Sequence, residues 1–252
     1  MVSIIRKMFD PSADGQAEQI VQRLQQIRAR IARACEESGR APDSVKLMAV
    51  TKTVSPDRVN LALSEGVDLL GENRVQEFLS KNSSYNCEKS QIHFIGHLQT
   101  NKIRDIINKV SCIQSIDSVR RAEAVSSAAQ KAGIVMPCLL EVNIGREESK
   151  SGFAPEGVLD AAGEIAALPG ISLHGLMTVA PAVAGRTGDD SYFRDMQQLF
   201  LQLQKCSLPG ACIDTLSMGM TGDFEMAVRC GSTLVRIGQG IFGARDVQTG
   251  LP

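Results

Sequence analysis

No stretch of the 252-residue sequence approaches the roughly 20 consecutive apolar residues that a membrane span needs, and Val2-Ser3-Ile4-Ile5 is too short for a signal-peptide core. A spanning or secreted protein is therefore not expected, and the cytoplasm is the expected compartment. Long runs of Lys and Arg are also missing, and the formal net charge is -1, so there is no electrostatic footprint for nucleic acid or an anionic membrane. No C-x-x-C pair occurs. The seven cysteines are odd in number and scattered, which reads as reduced thiols, several of them in apolar runs where cysteine acts as a small hydrophobe. Histidine is scarce: only His93, His97 and His174. His93 and His97 lie four apart and share a face if both are in one strand, yet no third ligand is indicated and catalytic zinc commonly takes three, so no metal site is expected. His93 reads as core and His97 as the histidine nearest a strand-end pocket. A G-x-S-x-G elbow and a Walker loop are both absent, which removes the handle for hydrolase and nucleotidase chemistry.

What is present is an ordinary globular composition, 43% hydrophobic and 22% charged, in a length that one barrel domain can occupy. One domain over 1–252 is expected, with 1–16 as a flexible leading segment. Short apolar runs near 45–52, 67–73, 91–97, 112–117, 136–144, 173–179, 213–220 and 232–238 alternate with helix-like segments such as Pro56 to Leu63, Ser118 to Ala132 and Tyr192 to Lys205. Strands that alternate with helices pair in parallel, and eight such units point to a closed α/β barrel of the (β/α)8, TIM type. An open doubly wound sheet is the rival architecture. Few residues follow the eighth strand, so a helix from elsewhere must cover that flank. Residues 17–38 supply it, with Ile20, Val21, Leu24, Ile27 and Ile31 at helical spacing.

In such a barrel the carboxyl ends of the strands form the active face, and here they are polar. Strand one ends in Lys52, a candidate Schiff-base nucleophile, because burial disfavours a charged amine and frees it to attack a carbonyl. Strand two ends in Gly71-Glu72-Asn73, strand five in Asn143 and strand six in Met177-Thr178. The loops after strands seven and eight hold Ser217, Gly219, Thr221, Gly222, Gly238 and Gly240, hydroxyls and glycines suited to phosphate. A lysine across the barrel from a phosphate cradle describes a phosphorylated aldehyde. Gly238 to Gly243 also matches G-x-G-x-x-G, but a dinucleotide fold needs a further helix, strand and acidic residue, and only nine residues follow Gly243.

The motifs Ala49-Val50-Thr51-Lys52, Gly71-Glu72-Asn73, His93 to Lys102, Ser149 to Phe153, Gly175 to Thr178, Leu216 to Met220 and Val235 to Gly238 span nearly the whole chain. Together they resemble the pyridoxal phosphate homeostasis proteins, which share the barrel of fold-type III enzymes such as alanine racemase. The resemblance implies pyridoxal 5'-phosphate (PLP) as cofactor, held by Lys52 as an internal aldimine. It puts Ser217, Gly219, Thr221, Gly238 and Gln239 around the phosphate, Asn73 beside the ring, Arg236 at the pyridine nitrogen, and Met177 and Met218 among the cofactor-binding residues. Two positions depart from the family pattern: Thr221 stands for a more usual serine, and Gln239 stands where threonine or serine is usual, so contact there falls to backbone N–H. Arginine stays protonated and can only donate, so a ring beside Arg236 is a weak electron sink. The racemases add a tyrosine base from a further domain, whereas the tyrosines here, Tyr85 and Tyr192, fall in segments read as outer surface. The expected function is a monomeric PLP carrier in vitamin B6 and amino-acid homeostasis, without robust turnover and with PLP-dependent apoenzymes as partners to consider. A PLP-dependent racemase or lyase is the alternative, and a Schiff-base aldolase on a phosphorylated sugar is the third reading. Lys102 and Lys150 are noted as secondary cofactor positions.

Overall fold

A computed structural model describes residues 11–181 and 184–244. Eight parallel strands close in chain order: β1 (Lys46–Val50), β2 (Leu69–Glu72), β3 (Ile92–Phe94), β4 (Cys112–Ile116), β5 (Met136–Glu141), β6 (Ile171–Met177), β7 (Thr215–Ser217) and β8 (Leu234–Ile237). β8 pairs back onto β1, with Met48 opposite Arg236 and Ala49 opposite Ile237. The expected barrel is therefore formed, and the open-sheet alternative is excluded by that closing pair.

α1 (Pro11–Glu37) precedes the barrel. Its apolar stripe buries Ile20, Leu24, Ile27, Ile31, Ala34 and Cys35, while Val21 lies at the edge of the stripe and is only partly covered. The helix begins at Pro11, earlier than the expected 17, and the first ten residues of the expected flexible segment lie outside the described residues. α2 (Pro56–Ser64), α3 (Val75–Lys81), α4 (Ile103–Ile106), α5 (Val119–Lys131), α6 (Val158–Ala166), α7 (Ala184–Thr187), α8 (Ser191–Lys205), α9 (Phe224–Arg229) and α10 (Gln239–Phe242) follow. α10 is a single turn, so α1 covers the flank it leaves bare, packing on α2, α9 and α10. Arg30 forks onto Glu225 at 3.0 and 2.6 Å and lies over the Phe224 ring, Arg40 donates to Val228 O, and Arg229 pairs with Glu37. Most of this helix's hold on the barrel is apolar burial, since exposed ion pairs contribute little.

Period-two alternation sorts the strand residues. Leu47, Ala49, Leu70 and Val235 face the helices, whereas Met48, Leu69 and Leu234 form an interior cluster, as do Cys112, Leu139 and Met177. Gly71 faces inward too, and a Cβ there would sit 2.6 Å from Met48 Sδ and 3.0 Å from Ile95 Cδ1, so a larger residue would have to displace both side chains. Among the described residues no helix is long and apolar enough to cross a membrane.

Candidate functional site

At the end of β1 the chain splits its side chains between the two sides of the wall. Thr51 is fully buried on the outer side, where its hydroxyl donates to Glu72 Oε1 at 2.6 Å. Tyr85 donates to the same oxygen at 2.6 Å, so this tyrosine is buried behind the wall and not on the outer surface as expected. Burial pushes the Glu72 carboxyl up, against the Thr51 and Tyr85 hydrogen bonds, and its Oε2 has no partner. The alternation then carries Lys52 and Asn73 to the mouth of the barrel. Thr53, just after Lys52, has φ 60°, a left-handed conformation that costs a threonine about 1 kcal/mol or more. Its N–H donates to the Glu77 carboxylate, which also holds Lys81. Burial pushes Glu77 up, but Lys81 and the Thr53 N–H outweigh it and leave the carboxyl below its ordinary range. A charged clamp thus fixes the turn that bears Lys52.

Because β8 pairs with β1, Lys52 is beside the loop after β8 and not across the barrel from it. Gly238 lies against Val50, and Gly240 donates its N–H to the Thr221 hydroxyl at 3.2 Å, which ties the loops after β7 and β8 together. Thr221 and Gln239 are exposed on this rim. Gly219 has φ 95°, and a Cβ there would lie 2.7 Å from Ala227, so the tight approach of this loop to α9 needs glycine.

Below the rim a polar chain crosses the interior. Arg236, 3% exposed, donates to Ser217 Oγ at 2.7 Å and to Thr178 O at 2.6 Å. Ser217 donates to Gln114 Oε1 at 2.7 Å, and Gln114 Nε2 lies 2.8 Å from His93 Nδ1. Burial pushes His93 down to about 4, so its ring is neutral and accepts from Gln114. Burial also pushes Arg236 down to about 10, against Asp223 and Glu141, and it remains a cation at neutral pH. The Ser217 hydroxyl is thereby committed to this chain. Met177 lines the interior, but Met218 is in the core between strands and helices, so its side chain faces away from the mouth.

Glu141 closes β5 and was not among the expected site residues; the expected strand end was Asn143. Its carboxyl is pushed up to about 7 by burial first and by Asp117 next, with Arg236 and Arg121 opposing. Asp117 is itself held by Arg121 Nε at 2.6 Å, and His97, 57% exposed, stands 3.6 Å from it. The one sequence signal for Glu141 is a carboxylate two residues after inward-facing Leu139 in an otherwise apolar run. β3 ends at Phe94, so His93 and His97 do not share a strand face as expected. Asn143 instead organises the following loop, accepting from Glu147 N–H and donating to Glu147 O and Lys150 O. Lys150 is bonded to Glu147 at 2.6 Å, and Lys102 pairs with Asp105 at 3.6 Å. Tyr192, in the first turn of α8, is half-buried against the core under the helices. Asn73 Oδ1 is buried with no hydrogen-bond partner.

A family model described as alanine racemase, N-terminal domain, matches residues 22–246. A pyridoxal phosphate homeostasis protein of Aquifex aeolicus is 39% identical over 224 residues, covering 89% of this chain and 97% of its own length. The chain belongs to the pyridoxal phosphate homeostasis protein family. A crystal structure of an unknown protein from Bifidobacterium adolescentis superposes with TM-score 0.86 at 36% identity, over 94% of this chain and 98% of that one. PipY of Synechococcus elongatus, in its structure with PLP bound, is similar with TM-score 0.74 at 27% identity, over 89% of this chain and 100% of its own. PipY is thus a barrel of this shape whose structure holds PLP.

Proposed function

We propose that this chain binds PLP at the carboxyl mouth of its barrel and serves PLP homeostasis, holding the cofactor as a Schiff base on Lys52. The observation that carries the reading is the buried Arg236, held by Ser217 Oγ and Thr178 O, on β8 next to β1, the strand that leads into Lys52. A guanidinium can only donate, which suits an unprotonated pyridine nitrogen. The buried Asn73 Oδ1 is an acceptor still needing a donor, as a ring hydroxyl provides. Thr221, Gln239 and the glycines around them give the rim hydroxyl and backbone N–H groups for a phosphate. The residues present fit the cofactor. When bound, PLP supplies an aldehyde that an amine can take up and a ring that can draw electrons.

The protein's own groups favour holding over turnover. Arg236 leaves the ring a poor electron sink, and both tyrosines are engaged outside the barrel interior, Tyr85 by its bond to Glu72 behind the wall and Tyr192 by packing against the core under the helices. The free cysteines among the described residues support a reducing compartment, the cytoplasm. One observation favours the enzymatic alternative: a Glu141 carboxyl held at about 7 is suited to moving a proton at neutral pH.

Purified protein incubated with PLP should show an absorption band that borohydride fixes as a pyridoxyl adduct on the peptide bearing Lys52, and Lys52→Ala should abolish it. Failure to take up PLP, or an adduct confined to other lysines, overturns the proposal. Exchange of an amino acid's α-proton for deuterium, lost in Glu141→Gln, would replace the carrier reading with the racemase or lyase.

A further inference from the structure

At the opposite, amino-terminal mouth of the barrel, His174 on β6 meets Cys212 and Asp214 from the segment entering β7. We infer that these three side chains form a binding site for a zinc-like divalent cation, independent of the cofactor mouth. Their ligand atoms all lie within 4.8 Å of one another. His174 Nδ1 is 3.6 Å from Asp214 Oδ1, and Cys212 Sγ is 3.5 Å from Asp214 Oδ2. Zinc bonds of about 2.0 Å to nitrogen and oxygen and about 2.3 Å to sulfur, at tetrahedral angles, require ligand separations of about 3.3 to 3.5 Å. The carboxylate meets His174 through Oδ1 and Cys212 through Oδ2 at close to that spacing, and His174 and Cys212 lie within 4.8 Å of each other, so a small rotation of the Asp214 carboxylate gathers the three around one ion.

The hydrogen bonds around the histidine set its lone pair in the same direction. Ser172 donates its hydroxyl proton to Gly210 O at 3.1 Å, and a carbonyl can only accept. Ser172 Oγ therefore has only lone pairs left for His174 Nε2, also 3.1 Å away, so Nε2 carries the ring proton. Nδ1 is then an acceptor turned toward a carboxylate, at a distance too long for a direct hydrogen bond. Two electron-rich groups facing one another across such a gap are stabilised by a cation between them. A hydroxyl that orients a histidine through its far nitrogen is the arrangement that supports metal ligands elsewhere.

The backbone makes the site rigid. Cys212 N–H donates to Leu173 O at 2.9 Å and Asp214 N–H to His174 O at 3.1 Å, so the β6 ladder holds both residues, and their i, i+2 spacing turns both side chains to one side. Thr215 Oγ1 donates to Asp214 Oδ1 at 2.6 Å and steadies the carboxylate. A histidine nitrogen, a thiol sulfur and a carboxylate oxygen are the mixed ligand set that zinc accepts, with solvent as the fourth ligand because Cys212 and Asp214 are exposed. On binding, the sulfur–metal bond forms as the thiol proton leaves to solvent.

Chelator-treated, reduced full-length protein titrated with Zn2+ by calorimetry should bind one equivalent, and Co2+ should give a thiolate charge-transfer band in the near ultraviolet. Cys212→Ser should remove that band and weaken Zn2+ by more than tenfold, Asp214→Asn should weaken it similarly, and Ser172→Ala should cost about tenfold. Cys206→Ser, which is outside the three-ligand group, and Lys52→Ala should leave both readouts unchanged. Absence of stoichiometric binding, or a band and affinity that survive in folded Cys212→Ser, would overturn the site. Circular dichroism confirms folding, and a Zn2+-dependent rise in Tm that is present in the parent and lost in Asp214→Asn gives a second readout.

Discussion

The two sides of the wall formed by β1 and β2 differ in purpose although they are made by consecutive residues. Thr51 and Glu72 turn outward into a closed space, where Tyr85 joins them and every hydroxyl has a partner. Lys52 and Asn73, one residue further on, are carried to the mouth, where the Asn73 amide oxygen is left without one. Glu72 Oε2 is left bare as the Asn73 oxygen is, but it lies in a closed space behind the wall, whereas the Asn73 oxygen is carried to the mouth, where another molecule can supply the donor. The outer cluster therefore reads as architecture and the inner residues as a site, within one stretch of backbone.

That contrast can be broken most forcefully at Glu72. Glu72→Ala removes the acceptor of two buried hydroxyls and leaves a cavity, so stability should fall by about 2–4 kcal/mol in denaturant melts while PLP affinity changes little. Equal losses of stability and cofactor affinity would erase the distinction between the two sides. Glu141 tests the mouth through pH. Its carboxyl keeps its proton to about 7 when folded, against an ordinary value of 4.5, so the folded state binds the extra proton between those limits and stability falls as pH rises through that window. Glu141→Gln should flatten this part of the profile and stabilise the protein by about 1–2 kcal/mol at pH 8, a figure discounted for partial solvation. A profile identical to the parent's would show that the carboxyl ionises normally.

Asn73→Ala should weaken PLP by about 1 kcal/mol, roughly fivefold, with melting hardly altered, because no protein partner is lost. A large drop in melting temperature with unchanged affinity would move Asn73 to the architectural side. The smallest effect belongs to Thr53→Gly, which relieves the left-handed conformation at the cost of chain entropy and should shift stability by less than about 1 kcal/mol. Faster PLP release in that variant would show that the clamped turn also serves retention.

Much of the fold was legible because it follows from local chemistry. Short apolar runs, helical stretches between them and the stripe from Ile20 to Ile31 each depend on residues near in sequence, and each is realised. Lys52 just beyond β1, in the turn two residues past the strand's end, and glycines at tight loops such as Gly219 were legible for the same reason. What the sequence could not express was proximity created by closing the barrel. Closure brings β8 beside β1 and so Arg236 next to the strand of Lys52; it sets Ser217 against Gln114, 103 residues away, and turns Glu141 inward among charges from other strands. It also hides Tyr85 against Glu72 and gathers His174 with Cys212 and Asp214 across a gap of 38 residues between the first two. Periodicity is written along the chain, but a hydrogen bond or a pKa shift depends on distance in space, and that distance exists only once the eighth strand has paired with the first.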